Sequence, residues 1–362
     1  MSHNVLLTGA SGYLGGSLLA AWKPAALSGF TTLYALVRTD AQAEAVVRYG
    51  AVPLKFNAYD KEEVRDAVVQ HRITIVLNLI DAWKSDSQLN FLAALFEVQK
   101  LSGLQTHFVH TTGAKIFSEW AGYAVDEPLP DSTANLPDYR TEKTAHDLLK
   151  VPLANPNQPI ETNEVVVQKG TELGIRTYLF VPCIVYGASE GFGNQISIQT
   201  ADIVRAALAT HRVYKLSDDK PNWPVCHIQD NTQYYIALIR AILNEKNPDW
   251  GANGHYLAAS GSVVWDDLYE KVAQALKRRG RIEDDSVVVA DKTALEAMAR
   301  GLGCSKDFVA IRLAGRCSLT PEHGVSLGWK AHYPPKHILD EADAEVERIL
   351  KHLDTSHDGS SK

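Results

Sequence analysis

Apolar positions in the first third of the chain fall into two alternating patterns. Short apolar runs at 5–7, 32–37, 51–56, 73–80 and 106–110 read as strands. Between them, at 13–22, 41–49, 61–70 and 89–101, apolar residues recur every three or four positions, as on one face of a helix. In the first of these stretches the face is Leu14, Leu18, Leu19 and Trp22, and in the third it is Val64, Ala67 and Val68. The run 73–80 is almost continuously apolar, as a strand covered on both faces must be. This alternation predicts an α/β fold, a doubly wound parallel sheet with helices on both faces.

The middle is less regular. Segments 120–135 and 150–161 are rich in Pro, Asn and Asp and read as loops. A helix is expected over 162–173, stopped by Gly174, and a sixth strand over 176–181, running into Pro182 and Tyr186-Gly187. Beyond that the rhythm weakens, with helices expected near 199–209, 230–244, 265–279 and 337–353. The expected division is a first domain at 1–187, to which parts of 225–260 return, and a smaller α/β substrate lobe at 188–354. Residues 355–362 read as a disordered polar tail.

Composition narrows the class. The 362 residues can bury a core without covalent staples. A net charge of −7 argues against a nucleic-acid or anionic-membrane surface. Cys183, Cys226, Cys304 and Cys317 form no CxxC pair and show no metal-ligand spacing, so no metal is expected and a reducing compartment is. No secretory leader pattern and no membrane-length apolar run occurs, so a cytoplasmic location is expected.

The sharpest motif is Thr8-Gly9-Ala10-Ser11-Gly12-Tyr13-Leu14-Gly15, between the first strand and the first helix. Gly9 permits the tight turn, Gly12 lets backbone approach a pyrophosphate, and Gly15 lets the helix pack closely. Amides near Ser11, Tyr13 and Leu14 open the helix and face the phosphates, where the helix dipole favours negative charge.

This loop resembles the TGxxGxxG loop of the short-chain dehydrogenase/reductases, in the form of their extended and atypical members, the NAD-dependent epimerase/dehydratase and NmrA-like branches. Further segments share the resemblance: Asn78 to Asp81 after the fourth strand, Thr111-Thr112-Gly113 after the fifth, 174–187, 223–230 (WPVCHIQD) and 326–330 (SLGWK). The resemblance implies a Rossmann fold and a nicotinamide cofactor held by Gly9, Ser11, Gly12, Tyr13, Leu14, Arg38, Asn57, Leu79, Ile80, Thr111, Pro182 and Ile184. Arg38 stands at the end of the second strand, where an acid would hold ribose hydroxyls and a base would meet a 2′-phosphate. NADP(H) is therefore expected over NAD(H).

The resembled chemistry uses a Tyr and, four residues on, a Lys that lowers its pKa, with a Ser or Thr orienting the substrate oxygen. Tyr139, Lys143 and Thr112 supply those types. However, Tyr139 stands much further before Gly174 than the roughly twenty residues of the pattern. Counting back that distance lands near Asn155 and Pro159, and the third residue of the strand-end cluster is Gly113. Either an insertion at 150–160 displaces a working pair, or Tyr139 and Lys143 are a surface helix match. Asp81 beside the cofactor is read either as an acid/base group or as a cap of the following helix. His110 reads as a core histidine, His227 as structural and Cys183 as inert.

The leading function is NADP(H)-dependent oxidation or reduction at a carbonyl or hydroxyl of a small organic molecule. A redox-neutral isomerase, lyase or cyclase on the same fold is the alternative, followed by a non-enzymatic NADP sensor. The partners expected are a small-molecule substrate and a second copy of the chain in a homodimer.

Overall fold

The computed structural model describes residues 2–121, 123, 125–132 and 158–358. Its first half alternates strand and helix: β1 (His3–Leu7), α1 (Tyr13–Trp22), β2 (Phe30–Leu36), α2 (Asp40–Arg48), β3 (Val52–Leu54), α3 (Lys61–Gln70), β4 (Ile73–Asn78), α4 (Asp86–Ser102) and β5 (His107–Thr111). Two 3-10 turns follow, at Ala114–Phe117 and Glu119–Ala121, and then the two-residue β6 (Leu129–Pro130). Helix α5 (Gln158–Leu173) leads into β7 (Arg176–Pro182) and β8 (Ile184–Tyr186). The remainder comprises α6 (Gln199–Thr210), β9 (Tyr214–Lys215), β10 (Asn222–His227), α7 (Ile228–Leu243), β11 (His255–Ala258), β12 (Ser262–Val264) and α8 (Trp265–Arg278). After these come β13 (Val288–Val289), α9 (Lys292–Leu302), α10 (Lys306–Leu313), β14 (Leu319–Thr320), α11 (Glu322–Ser326) and α12 (His337–Asp358).

Seven strands form one parallel sheet in the order β11-β7-β5-β4-β1-β2-β3. The order reverses between β1 and β4, so their carboxyl ends open a crevice beside the glycine loop. Strand pleating splits each apolar run between two cores. Val5, Leu7, Ile75 and Leu77 enter the core shared with α1 and α7, whereas Leu6, Ile73 and Val76 enter the one with α3, α4 and α5. That two-sided burial is why these runs are continuously apolar rather than alternating.

A second sheet, β12-β10-β8, stands beyond the crevice. Helix α8 packs against β12 and α6 against β8, and α9 and α10 pack in turn against α6. The segment from Gly187 to Ser197 crosses back over the glycine loop. There the Asn194 amide donates to Ser11 O at 2.9 Å, and a Cβ on Gly193 would fall 2.1 Å from that same oxygen. Buried Glu345 of α12 anchors this strap, accepting from the Gly187 amide at 3.2 Å and Ser197 Oγ at 2.8 Å.

Several expected boundaries move. Helix α5 starts at Gln158, inside the expected loop, because Pro159 falls in the first turn, where a helix needs no proline N–H. The third strand shrinks to Val52–Leu54 at the sheet edge, with Pro53 unable to donate. Helix α12 continues to Asp358, so the expected tail is helical up to that residue. Among the described residues no helix is long and apolar enough to cross a membrane.

Candidate active site

The glycine loop leaves open space at the start of α1. Gly9 has φ +69, and a Cβ there would press 2.8 Å against Leu79 O, so this turn needs glycine. At Gly15 a Cβ would sit 2.2 Å from Gly9 O, and this contact is what lets α1 start directly under the loop. A Cβ on Gly12 would meet Gly9 O alone, at 3.1 Å, so its other sides are open. Gly12 is the N-cap of α1, no side chain caps the helix, and its first turn holds no acid. The first-turn amides are therefore left for an external acceptor. Tyr13 turns away from this opening, and its buried hydroxyl donates to Gly187 O at 2.6 Å.

At the far end of the loop, Arg38 is exposed after β2. The first acid beyond it, Asp40, is paired with Lys55, and Thr39 caps α2 through the Gln42 amide at 3.2 Å. Asn57 is also exposed, with its Oδ1 taken by the Tyr59 amide at 3.1 Å. The Tyr59 hydroxyl donates to Asp81 Oδ2 at 2.8 Å, which ties the β3 and β4 loops together.

Asp81 accepts from the amides of Trp83 and Lys84, both at 3.0 Å, so it caps its own turn, while α4 begins later, at Asp86. Partial burial works to raise its carboxyl pKa. The bonds from Tyr59, Lys84 and Trp83 outweigh that and hold it below the usual range. Asp81 is not among the residues that line the cavity between the two sheets, although Ala82 and Trp83 are.

Past the glycine loop lies a cavity of about 490 Å³ between the two sheets. Its near wall is Tyr13, Leu14, Thr112, Pro182 and Val185, and its far wall is Trp223, Phe308, Ile311 and Arg312. Thr112 is fixed at both ends: its amide donates to Phe180 O at 2.9 Å, and its Oγ1 accepts from buried Asn163 Nδ2 at 3.1 Å. Helix α5, which precedes the sixth long strand, brings Pro159 and Ile160 to this wall. Gly113 leaves nothing within 4 Å of where its Cβ would be, so the position of the resembled hydroxyl is open space. Tyr139, Lys143 and Asn155 lie outside the described residues.

The other residues that the sequence singled out are held by the core and the loops around the crevice. Thr111 Oγ1 pairs with the buried Tyr235 hydroxyl at 2.7 Å. Ile184 is fully buried in the core, and Val185 occupies the cavity wall instead. Leu79 and Ile80 line the turn after β4, where the Leu79 amide donates to Thr8 Oγ1 at 2.9 Å. His110 is buried and stacked on Phe108, and burial pushes its pKa down to about 4. His227 caps α7 through the Gln229 amide at 3.3 Å. Burial also raises the Cys183 thiol pKa well above its usual value, and its Sγ donates to Ala258 O.

Sequence reasoning missed Asn163, Lys115, helix α10, which lines the cavity, and helix α9, which packs against α10 and α6. The helices had signals: Asp291 caps α9 through the Ala294 amide at 2.8 Å, Gly303 ends it at φ +61, and Ser305 stands at the N-cap of α10.

No family model matches the chain. The oxidase ucsJ of an Acremonium species is 25% identical over 384 residues, taking in 98% of this chain and 100% of that one. Among solved structures, UDP-glucose 4-epimerase of Thermotoga maritima, determined with UDP-glucose, is similar with a TM-score of 0.59 at 13% identity, over 97% of this chain and 99% of its own. The dTDP-glucose 4,6-dehydratase of Bacillus anthracis, determined with NAD, gives 0.60 at 12% identity, over 96% and 97%. Over nearly its whole length, the chain has the fold of the epimerase/dehydratase branch whose motifs it resembles.

Proposed function

We propose that the protein is an NADP(H)-dependent oxidoreductase acting on a carbonyl or hydroxyl of a small organic molecule. The observation that carries this reading is the uncapped, glycine-lined start of α1 opening toward the Thr112 cavity. Ser11, Gly12, Tyr13 and Leu14 would hold the pyrophosphate, and Arg38 the adenosine 2′-phosphate. Leu79, Ile80 and Pro182 would flank the rings. The bound nicotinamide supplies or accepts hydride. The protein excludes water with apolar walls and orients the substrate oxygen through Thr112. No step is assigned to Tyr139 or Lys143.

Titration of NADPH and NADH by fluorescence, followed by a screen of carbonyl compounds for NADPH oxidation, tests the reading. Micromolar NADPH binding, tighter than NADH, is expected. Absence of binding to either nucleotide would overturn it.

A further inference from the structure

Lys115 lies in the 3-10 turn after β5, among Ala114, Ile116 and Phe117, and lines the cavity. Its Nζ is 3.7 Å from the centroid of the Trp223 ring and 5.7 Å from that of Trp265. It donates to Ala314 O at 2.7 Å, and its other N–H bonds have no hydrogen-bond acceptor among the described residues. Its charged and titratable neighbours are Glu119 and Cys317. Glu119 accepts from the Arg316 amide at 2.9 Å, and the thiol of Cys317, pushed up to about 12 by burial, is neutral. No carboxylate therefore pairs with Lys115 among the described residues. Desolvation brings the ammonium down to about 7, where it can both give and take a proton.

The rest of the cavity bears on what can bind. Trp83, Trp120, Ile160, Ile198, Phe308 and Ile311 present rings and methyl groups. Arg312 also lines it, but its guanidinium is committed to buried Asp202 at 2.6 Å, which Arg205 also meets at 3.2 Å. A diphosphate would find no second uncommitted cation there among the described residues.

We propose that this cavity takes an uncharged, largely apolar carbonyl compound, and that Lys115 Nζ holds its carbonyl oxygen and exchanges a proton with it. This rests on the oxidoreductase reading above. In the reducing direction a bound reduced nicotinamide would supply a hydride to the carbonyl carbon, and the C=O π pair would move onto oxygen. One N–H bond of Lys115 then breaks as the O–H bond forms, leaving a neutral amine that is reprotonated by water. Oxidation of the alcohol is the reverse. Thr112 donates to the same oxygen.

Two measurements test the proposal. In the first, the protein without nucleotide is treated with 2-naphthaldehyde and cyanoborohydride at neutral pH, and the alkylated lysines are mapped by mass spectrometry. Lys115 should react at least about tenfold faster than any surface lysine, because an amine titrating near 7 is far less protonated there than an ordinary one. Excess 2-naphthylmethanol, which has the rings but no carbonyl, should protect it. Labelling no faster than at the surface, absence of protection, or stronger protection by 2-naphthoate would overturn the proposal, the last by making Lys115 an anion anchor.

In the second, NADPH oxidation is followed with a panel of aryl and alicyclic aldehydes and ketones. Wild-type kcat/KM should fall as pH rises through about 7, where the ammonium is lost. Lys115→Met should lose about a hundredfold or more in kcat with NADPH affinity intact. Lys115→Arg should recover part of the rate without that alkaline limb. NADPH binding with no panel member reduced, or an unchanged rate in Lys115→Met, would overturn the proposal. A protein that fails to bind NADPH would sink the oxidoreductase reading instead, and the labelling would still decide whether Lys115 is the reactive amine of the cavity.

Discussion

Asn163 Nδ2 donates to Thr112 Oγ1 across 3.1 Å of buried space, joining helix α5 to the end of β5. Because Thr112 Oγ1 accepts this bond, its own proton is aimed elsewhere, and the cavity is the side left open. Thr112→Val should therefore cut turnover about a hundredfold, the usual cost of losing one oriented donor, and spare NADPH affinity. Asn163→Ala should cost less, about tenfold, because the hydroxyl stays and only its aim is lost. Steady-state kinetics on a reducible aldehyde from the panel would decide. An unchanged rate in Thr112→Val removes it from the chemistry.

The glycine loop separates binding from folding. Gly12→Val points a side chain into the space left for phosphate and should abolish NADPH binding with a small change in Tm, since Gly9 O is its sole close neighbour at 3.1 Å. Gly15→Ala forces a methyl to within 2.2 Å of Gly9 O and should destabilise the fold by about 1–3 kcal/mol. Calorimetry of both variants, with and without NADPH, reads the two effects apart. A Gly12→Val protein that binds normally would mean the nucleotide enters elsewhere.

Cofactor choice should turn on Arg38. Its neighbour Asp40 is already paired with Lys55. Arg38→Asp should weaken NADPH by about tenfold to a hundredfold, as loss of a charged hydrogen bond does, and leave NADH equal or tighter. A wild-type preference for NADH would show that Arg38 does not meet the ribose.

Lys115 also makes stability depend on pH. Its folded-state pKa, about 7, lies below the 10.5 of an ordinary lysine, so between these values the unfolded chain holds more proton and folding gains as pH rises. Below about pH 7 the full penalty of a desolvated ammonium is present. Lys115→Met should therefore raise Tm relative to wild type most near pH 6, with the advantage shrinking toward pH 10. A difference in Tm that stays flat across that range would show that the ammonium is not strained by its surroundings.

The sequence was most legible where local pattern and topology agree. Residues 13–22 and 61–70 coincide with α1 and α3, because an apolar face at helical spacing with Gly12 or Asp60 before it leaves little choice. The glycine loop was legible for the same reason. What stayed hidden depends on distant packing. Pro159 read as a breaker but starts α5. Phe308, Ile311 and Arg312 sit on a short helix whose wall role exists only once it docks. Lys115 lies in a 3-10 turn with no periodicity to mark it, and its low pKa comes from burial. That burial forms only in the fold, where Trp223 and Trp265, more than a hundred residues away in the chain, lie beside it.

Strand β11 is placed at the end of the seven-stranded sheet, paired in parallel with β7 from His255↔Leu179 to Ala258↔Pro182. Until residue 258 has left the ribosome, the nascent chain carries β7 as a bare edge, apolar on both faces. Unpaired edges of that kind recruit other strands. A fragment cut at Gly187 keeps that edge exposed and is expected to aggregate.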